Sequence, residues 1–195
     1  KRVKQIKDAG LISCAVNVDS LALMDAYKAV PAYSKQRGVT AILDIGYLVS
    51  KLVVFEGDTL YFSRDITNGI YDLIKLMCER VNVDFNLISE FGPDLKNRAP
   101  ELYVAIKANL NGLVDELRLS FEYCRRHLQQ KIGHLYLSGG GSKINLIEEI
   151  LSSSLNLKTS ILDVTQAFKL GPDVKREKLK DTASLMTVAI GLAVG

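Results

Sequence analysis

An apolar segment that runs into three consecutive glycines decides the fold. It reads His134-Leu-Tyr-Leu-Ser-Gly-Gly-Gly-Ser142. Leu135 to Leu137 have the pattern of a short buried strand, and the apolar residues after Ser142 recur at helical spacing. Glycines between a strand and a helix N-terminus let a ligand lie directly on the backbone, near unpaired N–H groups. The stretch also fits an ordinary tight strand-to-helix turn, so by itself it leaves both interpretations open.

The region from Val39 to Ser63 predicts a three-stranded antiparallel meander, with strands over 39–45, 51–56 and 59–63. The tip between the first two strands reads Asp44-Ile-Gly-Tyr-Leu-Val-Ser50. Gly46 would let a phosphate approach backbone N–H groups, and Ser50 would add a hydroxyl donor. Asp44 would hold a hydrated Mg²⁺ or orient a water. A hairpin turn after a strand-ending Asp is the alternative.

Periodicity and turn residues predict the remaining elements. Strands are expected over 11–18 and 158–164, and a charged linker over 173–181. Helices are expected over 1–9, 19–27, 70–81, 85–91, 101–131 and 182–193, besides the one after Ser142. The long helix carries an apolar seam with spacings of three and four residues, for which we expect intramolecular packing rather than a coiled-coil dimer.

Composition excludes several classes of protein. The net charge of +3 over 195 residues does not indicate a nucleic-acid-binding protein. Three separated cysteines and two histidines lack metal-ligand spacing, so we expect reduced thiols and no zinc site. The longest apolar run, 186–194, is too short to span a bilayer. Because Lys1 to Lys7 already has the pattern of a helix and no initiator Met precedes it, we expect a fragment of a longer protein.

The two motifs, in this order and at this separation, resemble the second half of the actin/Hsp70/sugar-kinase ATPase fold, an α/β, ribonuclease H-like architecture. Leu43 to Gly46 with Ser50 resembles the second phosphate loop, and Leu137 to Gly141 resembles the adenosine motif. Within the superfamily the likeness is strongest to the type IV pilus assembly PilM family, whereas FtsA and the cytoplasmic part of GspL are similar in plan. The stretches that carry the PilM likeness are 15–23, 42–55, 135–147 and 184–193.

The resemblance implies a partial fold with a division into subdomains. Residues 1–38 would be the end of subdomain 1A. Residues 39–70 and 132–172 would form subdomain 2A, and 71–131 would form the helical subdomain 2B. Residues 173–195 would be a linker and a C-terminal helix that returns to 1A.

The resemblance also implies ATP and Mg²⁺ as cofactors. Asp44 would organise Mg²⁺ and water, while Gly46 and Ser50 would bind phosphate. The adenosine side would be formed by Gly139, Gly140, Gly141, Lys143 and Lys75. The implied protein is cytoplasmic and peripheral to the inner membrane, where the N-terminal peptide of a PilN-like protein would recruit it, and self-association is a further expectation.

Some residues depart from the superfamily pattern. Where such proteins commonly carry Gly-Gly followed by Leu-Thr, this chain has Gly69-Ile70 and Leu73-Ile74, and Ser50 replaces the usual Thr. The first phosphate loop is absent from the 195 residues, so we do not expect tight ATP binding by this segment alone. A structural module without nucleotide binding and a sugar-kinase-type phosphotransferase both remain alternatives, and whether ATP is hydrolysed stays open.

Overall fold

The computed structural model describes residues 2–81, 95–169, 171 and 176–195. At its centre is a mixed five-stranded sheet with the order β3-β2-β1-β4-β5. The strands are β1 (Thr40–Ile45), β2 (Ser50–Glu56), β3 (Thr59–Ile66), β4 (His134–Ser138) and β5 (Thr159–Ile161). The first three strands form the predicted antiparallel meander, and β4 and β5 continue the sheet parallel to β1.

Helices cover both faces of this sheet. In chain order they are α1 (Arg2–Asp8), α2 (Asp19–Lys28), α3 (Pro31–Ser34), α4 (Tyr71–Val81), α5 (Leu95–Arg98), α6 (Pro100–Leu128), α7 (Asn145–Leu155) and α8 (Arg176–Val194). Two 3-10 turns, Gly140–Lys143 and Val164–Ala167, follow β4 and β5. None of the described helices combines the length and apolarity that a membrane span requires.

The alternation of side chains along β1 creates two hydrophobic cores. Ala41, Leu43 and Ile45 point to the face that α4, α6 and α7 cover. Ile42 points to the other face, where it packs with residues of α2 and α8. Since both faces are covered, β1 has an almost continuous run of buried residues, as expected for the central strand of an α/β protein.

The apolar seam of α6 packs inside the chain, as predicted. Leu102, Ile106, Leu110, Leu113, Leu117 and Cys124 are buried in the core that contains Leu43 and Ile147. The seam therefore attaches this long helix to the sheet and to α7.

The C-terminal helix packs against α2. Gly191 makes the closest approach, because a Cβ atom there would overlap the carbonyl oxygen of Ala22. The last helix therefore contacts residues 1–38, while the division into subdomains stays a prediction.

Several predicted boundaries were wrong. Leu11 to Val18 is not a strand, since no described strand pairs with it and Ile12 is 90% exposed. The charged segment before Thr182 is partly helical, because α8 already begins at Arg176. The strand predicted over 158–164 contains only Thr159–Ile161 and is followed by a 3-10 turn. The helix predicted over 85–91 lies outside the described residues.

Candidate functional site

The parallel pairing of β1 with β4 brings the two motifs together. Asp44 lies opposite Ser138 in the register, so both motifs lie at the carboxyl ends of neighbouring strands. A Cβ atom on Gly139 would lie 2.8 Å from Oδ1 of Asp44 and 2.5 Å from the carbonyl oxygen of Ile45. Ligands of open α/β sheets bind outside the carboxyl ends of the strands. This edge is therefore the place to expect a ligand.

The three consecutive glycines differ in how closely other atoms pack around them. Gly139 has φ of +80° and passes over the backbone of Ile45, where a side chain would both be strained and collide. Gly141 is buried, and a Cβ atom there would lie 2.6 Å from Cγ2 of Ile70 and closer still to Ile45. Only Gly140 is half-exposed. Two of the three glycines are thus required by the protein's own packing.

Hydrogen bonds fix the backbone around the triplet. The amide of Gly139 donates to the carbonyl of Ser184 in α8 over 2.9 Å, and the Ser138 hydroxyl donates to the same oxygen over 3.2 Å. The Ser142 hydroxyl donates to the carbonyl of Gly139 over 2.7 Å. The helix predicted after Ser142 is α7, which begins at Asn145 after a 3-10 turn that ends at Lys143. The loop is therefore rigidly attached to both β4 and α8.

Asp44 is a half-buried carboxyl group whose pKa is raised. Burial is the main cause, and the nearby carboxylate of Asp19 raises the pKa further. The Ser138 hydroxyl and the Lys51 ammonium oppose this rise. Lys51 forms an ion pair with Asp65 on β3, so it is shared between two carboxylates. A divalent cation would remove the cost of ionising Asp44 in this position.

Asp19 is a residue that the sequence interpretation missed. Val18 occupies the cap position of α2, and no side chain caps this helix. Asp19 instead lies at the first position of α2, exposed and near enough to Asp44 to affect its pKa. Two carboxylates from distant parts of the sequence can share a hydrated cation. Among the described residues, no group of three or more His, Cys, Asp or Glu side chains could hold a metal ion.

The tip between β1 and β2 is held by the segment that precedes α4. The carbonyl of Gly46 accepts the amide of Ile70 over 3.1 Å, and the carbonyl of Tyr47 accepts the amide of Tyr71 over 2.9 Å. Ser50 is fully buried and donates its hydroxyl to the carbonyl of Asn68 over 2.7 Å. Ser50 therefore holds the tip in place, and its direct contact with phosphate stays a prediction.

The two predicted lysines are placed differently. Lys143 is half-buried at the end of the 3-10 turn, next to the glycines. Lys75 is exposed on α4 and lies 3.9 Å from Glu79 in an i,i+4 ion pair. No described contact connects Lys75 with the triplet, so its role toward adenosine is still a prediction.

The sequence profile of the type IV pilus assembly protein PilM family matches residues 1–195, which is the whole chain. The chain belongs to the PilM family. A search of the curated proteins found no match.

Solved structures support the same assignment. The chain of a PilM-PilN type IV pilus biogenesis complex superimposes with a TM-score of 0.76 at 27% identity, covering 98% of this chain and 55% of that one. MreB5 of Spiroplasma citri bound to ADP superimposes with a TM-score of 0.61 at 15% identity, covering 99% of this chain and 63% of that one. EutJ from Carboxydothermus hydrogenoformans superimposes with a TM-score of 0.58 at 14% identity, covering 97% of this chain and 57% of that one. This PilM-family chain thus has part of the actin-like ATPase fold and spans little more than half the length of the solved PilM chain.

Proposed function

We propose that this chain forms one wall of a Mg-ATP site in an actin-like scaffold of type IV pilus assembly. The observation that carries the proposal is the meeting of Asp44 and Gly139 across β1 and β4. A nucleotide that spans these two motifs would have its phosphates near Asp44 and its adenosine near the triplet. That solved relatives with this fold hold ADP, as MreB5 does, agrees with such a ligand.

The described residues fit these roles. Asp44 would hold a hydrated Mg²⁺, and Asp19, whose carboxylate is near enough to raise the pKa of Asp44, would add negative charge beside it. Gly46 would offer its backbone to phosphate, since its loop is already fixed by the Ile70 and Tyr71 amides. Gly140 and Lys143 are half-buried and adjoin the adenosine side of the site, whereas Lys75 is exposed on α4. When bound, Mg²⁺ would neutralise phosphate charge.

We further propose that nucleotide state affects binding of a PilN-like peptide from an inner-membrane protein. The solved PilM chain is in a complex with PilN. Loss of the nucleotide would change how the two sides of the cleft close, and closure is a common route by which a bound ligand alters a distant surface. The protein would then act in the cytoplasm at the inner membrane, through this partner.

Calorimetric titration of the full-length protein with Mg-ATP tests the site. Asp44→Ala is expected to weaken binding at least about tenfold, the scale of one lost charged contact. Asp115→Ala is the matched control, because it removes an exposed carboxylate from α6 that is paired with Arg118. Equal affinities of the Asp44→Ala variant and the unchanged protein for Mg-ATP would contradict the assignment of Asp44 to the nucleotide site.

One observation favours a second candidate, a scaffold that no longer binds nucleotide. Ile70 extends its Cγ2 toward Gly141, in a position where the superfamily commonly has glycine. A branched side chain there occupies space beside the triplet. The thermal unfolding of the full-length protein distinguishes the two candidates. A ligand at about 100 times its Kd stabilises by about 2.7 kcal/mol, so no shift at saturating Mg-ATP would favour the second candidate.

A further inference from the structure

A groove lies at the end of the sheet opposite to the candidate nucleotide site. It is formed where α6 ends, where the chain enters β4, and where α7 leads to β5. Lys131 and Ile132 precede β4, and Leu157 precedes β5, so the groove lies at the amino ends of these parallel strands. Asp44 and Gly139 are at their carboxyl ends. The groove is therefore a separate surface.

The floor of the groove is apolar. Phe121, Ile132, Leu155 and Leu157 line it, half-buried, and pack against the core beneath the sheet. The groove has a volume of about 410 Å³, within the range of sites that hold a ligand or a few side chains of a peptide. An occupant would gain contact with apolar surface that is now in water.

The rim of the groove is basic and partly preorganised. Arg118 donates to the carbonyl of Ser154 over 2.7 Å, which fixes its guanidinium beside the end of α7. Arg125 and Arg126 both bind Glu122, over 2.9 and 3.0 Å, and these bonds lower the pKa of that carboxyl group to about 2. Glu122 therefore stays ionised and positions both arginines.

Positive charge remains after these pairs are counted. Three of the lining residues, Arg118, Arg125 and Lys131, are cations and one, Glu122, is a carboxylate, which leaves an excess of two positive charges along the groove. Within the described part of the chain, Lys131 has no ion pair. Cations at a helix C-terminus are in part balanced by the helix dipole, but two helix ends do not cancel two full charges at the exposed rim.

We propose that this groove binds an acidic, apolar segment of a partner protein. Leucine-like side chains of that segment would lie on the floor, and Asp or Glu residues beside them would meet Lys131 and the arginines. Apolar contact would supply affinity, and the complementary charge would supply orientation and speed of association. The groove does not depend on nucleotide, so the proposal is independent of the ATP site.

Fluorescence anisotropy with the full-length protein tests this proposal. The probe is a short fluorescein-labelled peptide of leucine and glutamate, compared with one in which serine replaces leucine and one in which lysine replaces glutamate. We expect saturable binding of the first peptide only. Lys131→Glu should weaken that binding about tenfold, because it replaces an attraction by a repulsion, and the loss should shrink at high salt.

Lys107→Glu is the matched control variant. Lys107 is exposed on the same helix, eleven residues before Arg118, which places it about 16 Å away along the axis. It should bind the leucine-glutamate peptide like the unchanged chain. Absence of saturable binding, equal binding of the serine peptide, or equal losses for Lys107→Glu and Lys131→Glu would each overturn the proposal.

Discussion

The close approach of Gly139 to the end of β1 can be tested by a single methyl group. Gly139→Ala places a Cβ atom 2.5 Å from the carbonyl oxygen of Ile45 and 2.8 Å from Oδ1 of Asp44, at φ of +80°. The left-handed backbone costs alanine about 1–2 kcal/mol. Overpacking a fixed backbone contact costs about 1–3 kcal/mol more. We therefore expect Gly139→Ala to lower the free energy of unfolding by about 2–5 kcal/mol.

Gly57→Ala provides the comparison that isolates the contact. Gly57 also has positive φ, +55°, but a Cβ atom there meets nothing within 4 Å. This variant should lose only the backbone term of about 1–2 kcal/mol. Urea unfolding of both variants, followed by circular dichroism, gives the difference directly. Equal destabilisation of the two variants would show that a Cβ atom at position 139 does not collide with β1, and it would refute the close approach of Gly139 to Asp44.

Three further predictions concern packing and charge. Gly191→Ala should destabilise the protein by up to about 2 kcal/mol, because overpacking against Ala22 costs about 1–3 kcal/mol and the helix-propensity gain returns about 1 kcal/mol. Gly112→Ala in α6 should keep most of that gain, since among the described residues an added Cβ atom would approach the movable amide of Asn68. Thermal unfolding that ranks the two variants alike would contradict this. Ile106→Ala, at a fully buried position of the α6 seam, should lower the free energy of unfolding in urea by about 2–5 kcal/mol. A loss below about 1 kcal/mol would show that the seam does not attach α6 to the core. Because the folded-state pKa of Asp44 is raised, the protonated carboxyl group favours the fold at low pH, and this stabilisation is lost as pH rises through that pKa. Asp44→Asn should therefore have a higher melting temperature than the unchanged protein at neutral pH, and the difference should disappear in acid. A lower melting temperature at neutral pH would show that the ionised carboxylate stabilises the fold.

Local patterns predicted the elements whose partners are near in sequence. The alternation of apolar residues predicted β1 to β3, and two of these strands pair through a turn at Gly57 and Asp58. The spacing of leucines predicted α6 and its buried side. In both cases the information lies within one stretch of sequence, because period and turn chemistry decide the structure.

Features that depend on distant contacts were predicted less well. Leu11 to Val18 alternates like a strand, but alternation describes one strand and cannot supply the neighbour with which it must pair. The start of α8 was placed too late, because the charged residues before Thr182 also favour helix formation.

The candidate site also has features that local sequence predicted and features that depend on distant contacts. The residue types of Asp44, Gly46 and the triplet suggested a ligand, but only the parallel pairing of β1 with β4 brings Asp44 to Gly139. The resemblance assigned the three glycines to adenosine, and the structure adds a second reason for two of them, because Gly139 and Gly141 are packed against Ile45 and Ile70. Asp19 was missed because its proximity to Asp44 arises from the packing of α2 on the sheet.

The most direct test of the nucleotide site locates the cation. Mn²⁺ replaces Mg²⁺ in ATP complexes and broadens the amide signals of residues near it in nuclear magnetic resonance spectra. With Mn-ATP and the full-length protein, we predict that the amides of Gly46 and Gly140 broaden strongly, while that of Gly57, at the opposite end of the antiparallel meander, does not. If Gly46 and Gly140 kept sharp signals while nucleotide was bound, the site would lie elsewhere and the account given for Asp44 would be contradicted.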